Sequence, residues 1–250
     1  MRFPALLSAK LAKARIAGIF RGARPTLLVD FVDAAEVLHA GSSHPISHEK
    51  IRSLVVSPAP ILWIGGSEPL EHPGIAHLAR AIVQAGRFVF LETCGTLLRR
   101  RIHEFQPVPQ LFLTIRSGGP PSSAVPKPRN PGAFELALEG LRAARLSGFF
   151  TAFHSPVRED SDVSGLQSFS TILSAADVDG WMITAAAPGD PASRKAREVR
   201  NLIPNPRWRW LSGHVERELL SASNTSAIHL SPANEMQPAQ ASEDESIRVS

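Results

Sequence analysis

An acidic residue that follows two glycines and precedes a proline is the clearest chemical feature of the chain. The segment contains Gly65, Gly66, Ser67, Glu68 and Pro69. Glycine lets a backbone approach a ligand closely, and proline holds the residue before it in an extended conformation. A carboxylate fixed in this way suits an amine or ammonium group. The alternative is an ordinary strand-to-helix turn, in which the acid interacts favourably with the dipole of the next helix.

Histidines and acids form a second group that could do chemistry. His39, His44 and His48 lie close in sequence to Asp33 and Glu36. His44 and His48 are four residues apart, so they could share one face of a helix and hold a metal ion. The other interpretation is that these histidines face solvent where a helix begins.

Cys94 is the one cysteine among the 250 residues. A single thiol excludes a disulfide within the chain and any metal site built from several thiolates of this chain. Cys94 would be a reactive nucleophile if arginines such as Arg99 lowered its pKa. The alternative is a plain structural role.

The elements that must position these residues alternate along the chain. Six short β-rich runs are each followed by a helical run, which predicts parallel strands with helical crossovers. Two of the helices should end at Gly86 and Gly148, another should start near Ser47, and another should follow the third strand. The predicted strands are Thr26–Val32, Ile61–Ile64, Phe88–Thr93, Leu111–Ile115, Phe149–His154 and Gly180–Ala185.

Six consecutive strand–helix units fit two α/β architectures. One is a partial (βα)6 barrel of the TIM type with outer helices, and the other is a doubly wound sheet. In both, ligands bind at the carboxyl ends of the strands, so the loops after the strands should carry the site. With 250 residues and an apolar fraction of 43%, we expect one main domain, over residues 25–220.

The two ends of the chain differ from this domain. Residues 1–24 read as a basic helix, and residues 221–250 are rich in Ser, Ala, Pro and acids, which predicts disorder. Lys10 and Lys13 interrupt what would be the apolar core of a signal peptide, so we expect a cytoplasmic protein. Leu7, Leu11 and Ile16 oppose a basic face, and this helix could rest on a membrane surface or pack beside its own domain.

From about Pro25 to Ala186, the order of these segments resembles the radical S-adenosylmethionine superfamily. Residues 66–69 are similar to its Gly-Gly-Glu-Pro, whose loop holds the methionyl amine of S-adenosylmethionine, and residues 70–73 to its Leu-Leu-His-Pro extension. Residues 93–96, Thr-Cys-Gly-Thr, resemble its Thr-Asn-Gly-Thr. The sequence around strands two and three is loosely similar to hopanoid-type adenosyl transferases. The resemblance implies a (βα)6 partial barrel that binds S-adenosylmethionine through Gly65, Gly66, Ser67, Glu68, Pro69, Thr93, Gly95 and Thr114.

The chain departs from this family at the residues that carry its chemistry. The family's Cys-x3-Cys-x2-Cys motif falls on Ala35, His39 and Ser42, with Glu36 where Asn is frequent. Three thiolates normally hold three irons of the [4Fe–4S] cluster, whereas alanine donates nothing and serine is a poor ligand. We therefore expect no [4Fe–4S] cluster and no reductive cleavage of S-adenosylmethionine. After strand four, Arg116 stands where the family commonly has Asp.

Other residues should have structural roles. His72 should support its loop, and the arginines of LLRRRIHEF should face solvent. His154 ends the fifth predicted strand and points either into the barrel or onto the helices. The spread of basic residues along the chain does not indicate nucleic acid as a partner.

Three functional hypotheses follow. The favoured one is a degenerate radical-SAM-type barrel with a binding, regulatory or scaffold role, with S-adenosylmethionine as its candidate ligand and an active paralogue or another protein as its candidate partner. The second is an enzyme that uses a substitute metal near His39, His44 and His48, or Cys94, in the same pocket. The third is an active radical enzyme whose cluster ligands come from another chain.

Overall fold

A computed structural model describes residues 6–7, 9–10, 12–13, 16, 29–34, 48–56, 59–117, 132–186 and 190–202. The strands are β1 Val29–Asp33, β2 Ile61–Gly65, β3 Phe88–Thr93, β4 Leu111–Arg116, β5 Phe150–Val157 and β6 Gly180–Ala185. The helices are α1 His48–Val55, α2 Ile75–Gln84, α3 Leu98–Arg101, α4 Ala133–Leu146, α5 Val163–Ala175 and α6 Asp190–Leu202. Short 3-10 turns cover Pro69–Glu71 and Ile102–Glu104. All six predicted strands are confirmed.

The six strands form one sheet whose spatial order is the order of the sequence. Each strand pairs in parallel with the next, from β1 through β6. A doubly wound sheet reverses its strand order part-way, and no reversal occurs here. The sheet is therefore the predicted partial (βα)6 barrel, with its strand ends gathered at one mouth.

Glycines end two of the helices, as predicted. Gly86 after α2 and Gly148 after α4 have φ angles of 78° and 87°, and the residue after each donates a backbone hydrogen bond into the last turn. A residue with a side chain adopts this left-handed conformation only at a cost, so glycine is favoured. After α5, Asp177 takes the same position with φ of 51°, and Arg145 donates to its carboxylate over 2.6 Å.

Side chains alternate between the two faces of the sheet. One set packs against the helices and forms the larger core, with residues such as Leu62, Leu91 and Leu113. The other set faces the barrel interior. Its aromatic members form a stacked row across four strands, which we call the aromatic floor and which consists of Trp63, Phe90, Phe112 and Phe150, with ring centroids 4.4–5.3 Å apart.

The described residues of the N-terminal segment are helical and contact the floor of the barrel. Leu7 is fully buried in the interior cluster that contains Phe88 and Phe90. Lys10 donates a hydrogen bond to the carbonyl of Gly86, and its ammonium lies 5.7 Å from the centroid of the Phe88 ring. This segment packs against its own domain through Leu7, whereas its contact with a membrane surface stays a prediction. Leu11 lies outside the described residues.

Within the ranges described, no helix combines the length and the apolar character that crossing a bilayer requires.

Candidate functional site

Glu68 joins the loop after β2 to the loop after β3. Its Oε1 accepts hydrogen bonds from the backbone N–H of Leu70 over 3.0 Å and from the Thr93 hydroxyl over 2.7 Å. Its Oε2 accepts from the backbone N–H of Cys94 over 2.7 Å. A carboxylate offers about four acceptor positions, so roughly one is left for a ligand. The acid also caps the Pro69–Glu71 turn, which is close to the structural alternative derived from the sequence.

The two glycines before Glu68 have different roles. A Cβ on Gly65 would lie 2.5 Å from Glu92 Oε2, so Gly65 makes room for a neighbouring carboxylate. Gly66 has a φ of 82° and is exposed together with Ser67. Among the described residues Asp177 is the one non-glycine residue with a positive φ, so Ser67 fits this loop without backbone strain.

The segment after β3 depends on its glycine and its threonine. The Thr93 hydroxyl accepts from the backbone N–H of Gly95 over 3.0 Å while it donates to Glu68. Gly95 has a φ of 86°, and a Cβ there would lie 2.7 Å from the side chain of Ile115. Glu68, Thr93 and Gly95 therefore form one connected loop pair at the mouth.

Cys94 is not an activated thiol. Desolvation raises its pKa, and the negative charge of Glu68 raises it further. Its Sγ lies 3.2 Å from the Thr96 hydroxyl. Arg99 instead pairs with Glu139 over 2.7 Å, so the condition for a reactive thiol, a pKa lowered by arginines such as Arg99, is not met.

Arg101 holds the loop that contains Glu68. Its guanidinium donates to the carbonyls of Leu70 and His72 and pairs with Glu104, whose pKa it lowers. The prediction that the arginines of this segment all face solvent is wrong for Arg101, whose side chain is 16% exposed. The prediction for His72 is confirmed, because its buried ring accepts from the backbone N–H of Gly74 over 2.9 Å.

Polar side chains line the interior above the aromatic floor. We call them the interior polar cluster. Its members lie in the carboxyl-terminal halves of β3 to β6 and are Glu92, Thr114, Arg116, His154 and Thr184. The buried ring of His154 points into the barrel, where its Nδ1 lies 2.6 Å from Glu92 Oε1 and its Nε2 lies 2.8 Å from the Thr184 hydroxyl. The structure thus decides the orientation that the sequence left open.

Glu92 is an ionised carboxylate held among donors. Burial alone would raise its pKa, but the electrostatic interaction and hydrogen bond with His154, the charge of Arg116 and a bond from Trp63 lower it overall. Trp63 Nε1 donates to Oε2 over 2.8 Å, and Arg116 Nε lies 3.8 Å from Oε1. Arg116 therefore does not leave an uncompensated positive field, because Glu92 on the next strand pairs with it.

Thr114 completes the cluster with an unused hydroxyl. Its side chain is fully buried beside Glu92 in the strand register, and its Oγ1 has no hydrogen-bond partner within the described part of the chain. Buried hydroxyls are normally paired, so an unpaired one facing a barrel interior indicates a place for a ligand atom or a water molecule.

Sequence reasoning missed Glu92, although a signal was present. In strand β3, Phe88, Phe90 and Glu92 share one face, so the alternation places an acid beside two phenylalanines, and the structure shows that this face lines the barrel interior. Its partner His154, and Thr184 which contacts His154, come from strands far away in sequence. Only the sheet register brings these three residues together.

The residues aligned with the cysteine motif cannot be compared with the structure. Ala35, Glu36, His39, Ser42 and His44 lie outside the described residues, as do the side chains of Asp33 and His48. In the described ranges, no three His, Cys, Asp or Glu side chains come together as a metal site. A [4Fe–4S] cluster does not fit the donor set of this chain, because its single cysteine is Cys94, whose thiol has a raised pKa.

The fold and the mouth loops define a partial (βα)6 barrel of the radical S-adenosylmethionine type, and comparison with known proteins agrees. A stretch of 92 residues is 36% identical to the AdoMet-dependent heme synthase of Methanosarcina barkeri, and it covers 36% of this chain and 26% of that protein. Together with the fold, this match confirms the predicted relationship to radical S-adenosylmethionine proteins. No family model matches the chain.

The solved structure of SuiB shows the same architecture. Streptococcus suis SuiB, crystallised with S-adenosylmethionine, aligns with a TM-score of 0.52 and 9% identity over 76% of this chain and 50% of SuiB. TYW1 with a bound lysine-pyruvate adduct aligns with a TM-score of 0.39 and 17% identity over 69% of this chain and 50% of TYW1. The chain thus spans about half the length of these structures and about a quarter of the heme synthase.

Proposed function

We propose that this chain is a degenerate radical-SAM-type barrel that carries no iron–sulfur cluster and has a binding, regulatory or scaffold role without radical chemistry. The observation that carries this proposal is the donor set. A cluster of the family's type needs three thiolates, and the chain has one cysteine, which follows β3 rather than β1. Without the cluster no electron reaches the sulfonium of S-adenosylmethionine.

S-adenosylmethionine is the ligand that we propose for the mouth. The loop pair that would receive its amine is intact, because Glu68 is fixed by Thr93 and Cys94 and keeps roughly one acceptor position. Gly66 beside it is exposed and offers backbone for close approach. The relatives add support, since one is named as dependent on AdoMet and one was crystallised with S-adenosylmethionine.

Calorimetric titration with S-adenosylmethionine tests this ligand. We expect saturable binding that Glu68→Gln weakens by about 10-fold to 100-fold, because a charged hydrogen bond to an ammonium contributes about 1.5–3 kcal/mol. Glu71→Gln, in the exposed part of the same loop, is the matched control and should bind like the natural chain. Equal affinity of both variants, or no heat of binding, would remove this ligand from the proposal.

Anaerobic reconstitution with iron and sulfide tests the absence of a cluster. We expect the purified chain to gain no stable visible absorption and no stoichiometric iron. A stable band of the kind that iron–sulfur clusters give, with about four irons per chain, would overturn the proposal. It would favour an active radical enzyme whose remaining cluster ligands come from outside this chain.

The location and partners belong to the same proposal. We expect a cytoplasmic protein that acts beside an active paralogue or another protein, and the single cysteine of the chain supports such a role. Co-expression with one active radical SAM protein at a time, followed by size-exclusion chromatography, tests it. A co-eluting complex would support the partner, and separate elution of every pair would contradict it.

A further inference from the structure

Three members of the interior polar cluster form a chain of hydrogen bonds with a chemical order. Glu92 contacts His154 over 2.6 Å, and the other ring nitrogen of His154 contacts the Thr184 hydroxyl over 2.8 Å. The order is carboxylate, imidazole, hydroxyl. Their relative exposures are 7%, 6% and 1%, so solvent does not compete for these bonds.

The direction of these bonds follows from the carboxylate. An ionised carboxylate only accepts, so the Nδ1 of His154 must carry the proton that it donates to Glu92. In the tautomer whose one ring proton sits on Nδ1, Nε2 is an acceptor and the Thr184 hydroxyl donates to it. This polarity is the one in which an imidazole acts as the base for a hydroxyl nucleophile while an acid fixes its tautomer.

The orientation of Glu92 is built into neighbouring elements. Trp63 on β2 donates to its second oxygen, and Gly65 on the same strand leaves the space that this oxygen occupies. His154 is held in turn by the edge of the Trp63 ring, with centroids 5.3 Å apart. A base that is fixed on both sides keeps the geometry that proton transfer requires.

Two further members of the cluster can stabilise negative charge. Within the described part of the chain, Arg116 makes one ion contact of 3.8 Å, and its side chain is 27% exposed, so the cluster reaches the surface there. Thr114 offers a buried and unpaired hydroxyl on the same strand and the same face. A cation and a hydroxyl on the same face of one strand are suited to an oxyanion that forms in a reaction.

We propose that the interior polar cluster is an acyl-transfer site for small carboxylic esters, with Thr184 as nucleophile, His154 as general base, and Glu92 as positioning residue. Thr184 Oγ attacks the ester carbonyl carbon while its proton moves to His154 Nε2. We assign the resulting oxyanion to Arg116, which pairs with His154 in the strand register, and to Thr114 two residues before it. When the C–O bond breaks, the leaving alcohol takes the proton from His154, and water then releases the acid from acyl-Thr184 with the same base. The step needs no cofactor and does not depend on S-adenosylmethionine.

An alkyl fluorophosphonate probe tests this site on the full chain. Thr184 Oγ should attack phosphorus, fluoride should leave, and the proton should pass to His154. We expect about one adduct per chain, found by mass spectrometry on Thr184 within the tryptic peptide of residues 159–194. Thr184→Ser should keep the adduct, and Thr184→Val should lose it. His154→Gln should slow labelling by about 100-fold or more.

The control is Thr151→Val, which replaces another buried threonine, one whose hydroxyl lies beside Asp179 outside the interior polar cluster. Its labelling rate should equal that of the natural chain. If the natural chain forms no adduct, or forms one only at another hydroxyl, the proposal is overturned without the need for any variant. Labelling of Thr184 at an unchanged rate in a folded His154→Gln protein would overturn it as well. None of these outcomes depends on the titration with S-adenosylmethionine.

Discussion

At the scale of single residues, Glu92 is the side chain on which the barrel interior depends. A carboxylate that is 7% exposed would be costly without donors, and here Trp63, His154 and Arg116 surround it. The structure makes room for it by omitting a side chain at Gly65. The residues around Glu92 thus stabilise a buried carboxylate and leave space for it.

The pH dependence of stability should report this carboxylate. The pKa of Glu92 in the folded chain lies below its usual value of 4.5, so the folded state favours the ionised form. Glu92 therefore stabilises the fold above about pH 4.5, and this contribution is lost as pH falls through the lowered pKa. Glu92→Gln should be less stable than the natural chain near neutral pH, and the difference should shrink in acid.

Urea unfolding of both proteins at several values between about pH 7 and about pH 3 measures this difference. Glu71→Gln, which removes an exposed acid, is the control and should follow the natural chain throughout. A difference between the natural chain and Glu92→Gln that stays constant over the whole range would contradict the assigned pKa direction.

At the scale of elements, the sequence predicted what local patterns encode. The six strands follow from apolar β-rich runs, and the ends of α2 and α4 follow from Gly86 and Gly148. Their parallel pairing followed from the alternation with helices, whereas the choice of a partial barrel came from the family resemblance. These features depend on residues close together in the chain, where the side-chain period and glycine conformations act.

Contacts between distant elements could not be predicted in the same way. Glu92 and His154 are 62 residues apart, and Arg101 lies 31 residues from the Leu70 carbonyl that it holds. Three consecutive arginines in one helical run look alike in sequence, and only the packing of α3 against the loop after β2 selects Arg101. The Glu68 loop was recognised because its own residues carry the pattern, whereas its support was missed.

Arg101 should therefore matter for stability while its neighbour does not. Arg101→Met keeps a long side chain of similar helix propensity but removes the donors to the Leu70 and His72 carbonyls. We expect a loss of about 1–3 kcal/mol in the free energy of unfolding, because buried acceptors lose their partners. Arg100→Met, at an exposed position, should stay within about 0.5 kcal/mol of the natural chain. Chemical denaturation of the two variants measures both free energies of unfolding. Equal losses of stability in Arg101→Met and Arg100→Met would contradict the role of Arg101.

At the scale of the whole molecule, the barrel interior is layered along its axis. Leu7 lies at the amino ends of the strands, next to Phe88 and the aromatic floor. The interior polar cluster follows, and the loops that carry Glu68 and Thr93 form the mouth. Apolar packing below and charged groups above fit a sheet whose ligands meet the carboxyl ends of its strands. The N-terminal segment is thus a structural part of the barrel.

Variants of two adjacent leucines can distinguish a structural role of the N-terminal segment from contact with a membrane. Leu7 is fully buried, whereas Leu6 is 60% exposed. Leu7→Ala should lower the free energy of unfolding by about 2–4 kcal/mol, because it removes apolar contacts and leaves a cavity beneath the aromatic floor. Leu6→Ala should change it by less than about 0.5 kcal/mol. Urea denaturation followed by circular dichroism measures both, since alanine preserves the helix in each case. If the two variants were equally stable, Leu7 would not seal the barrel, and the basic helix would be free to bind a lipid surface instead.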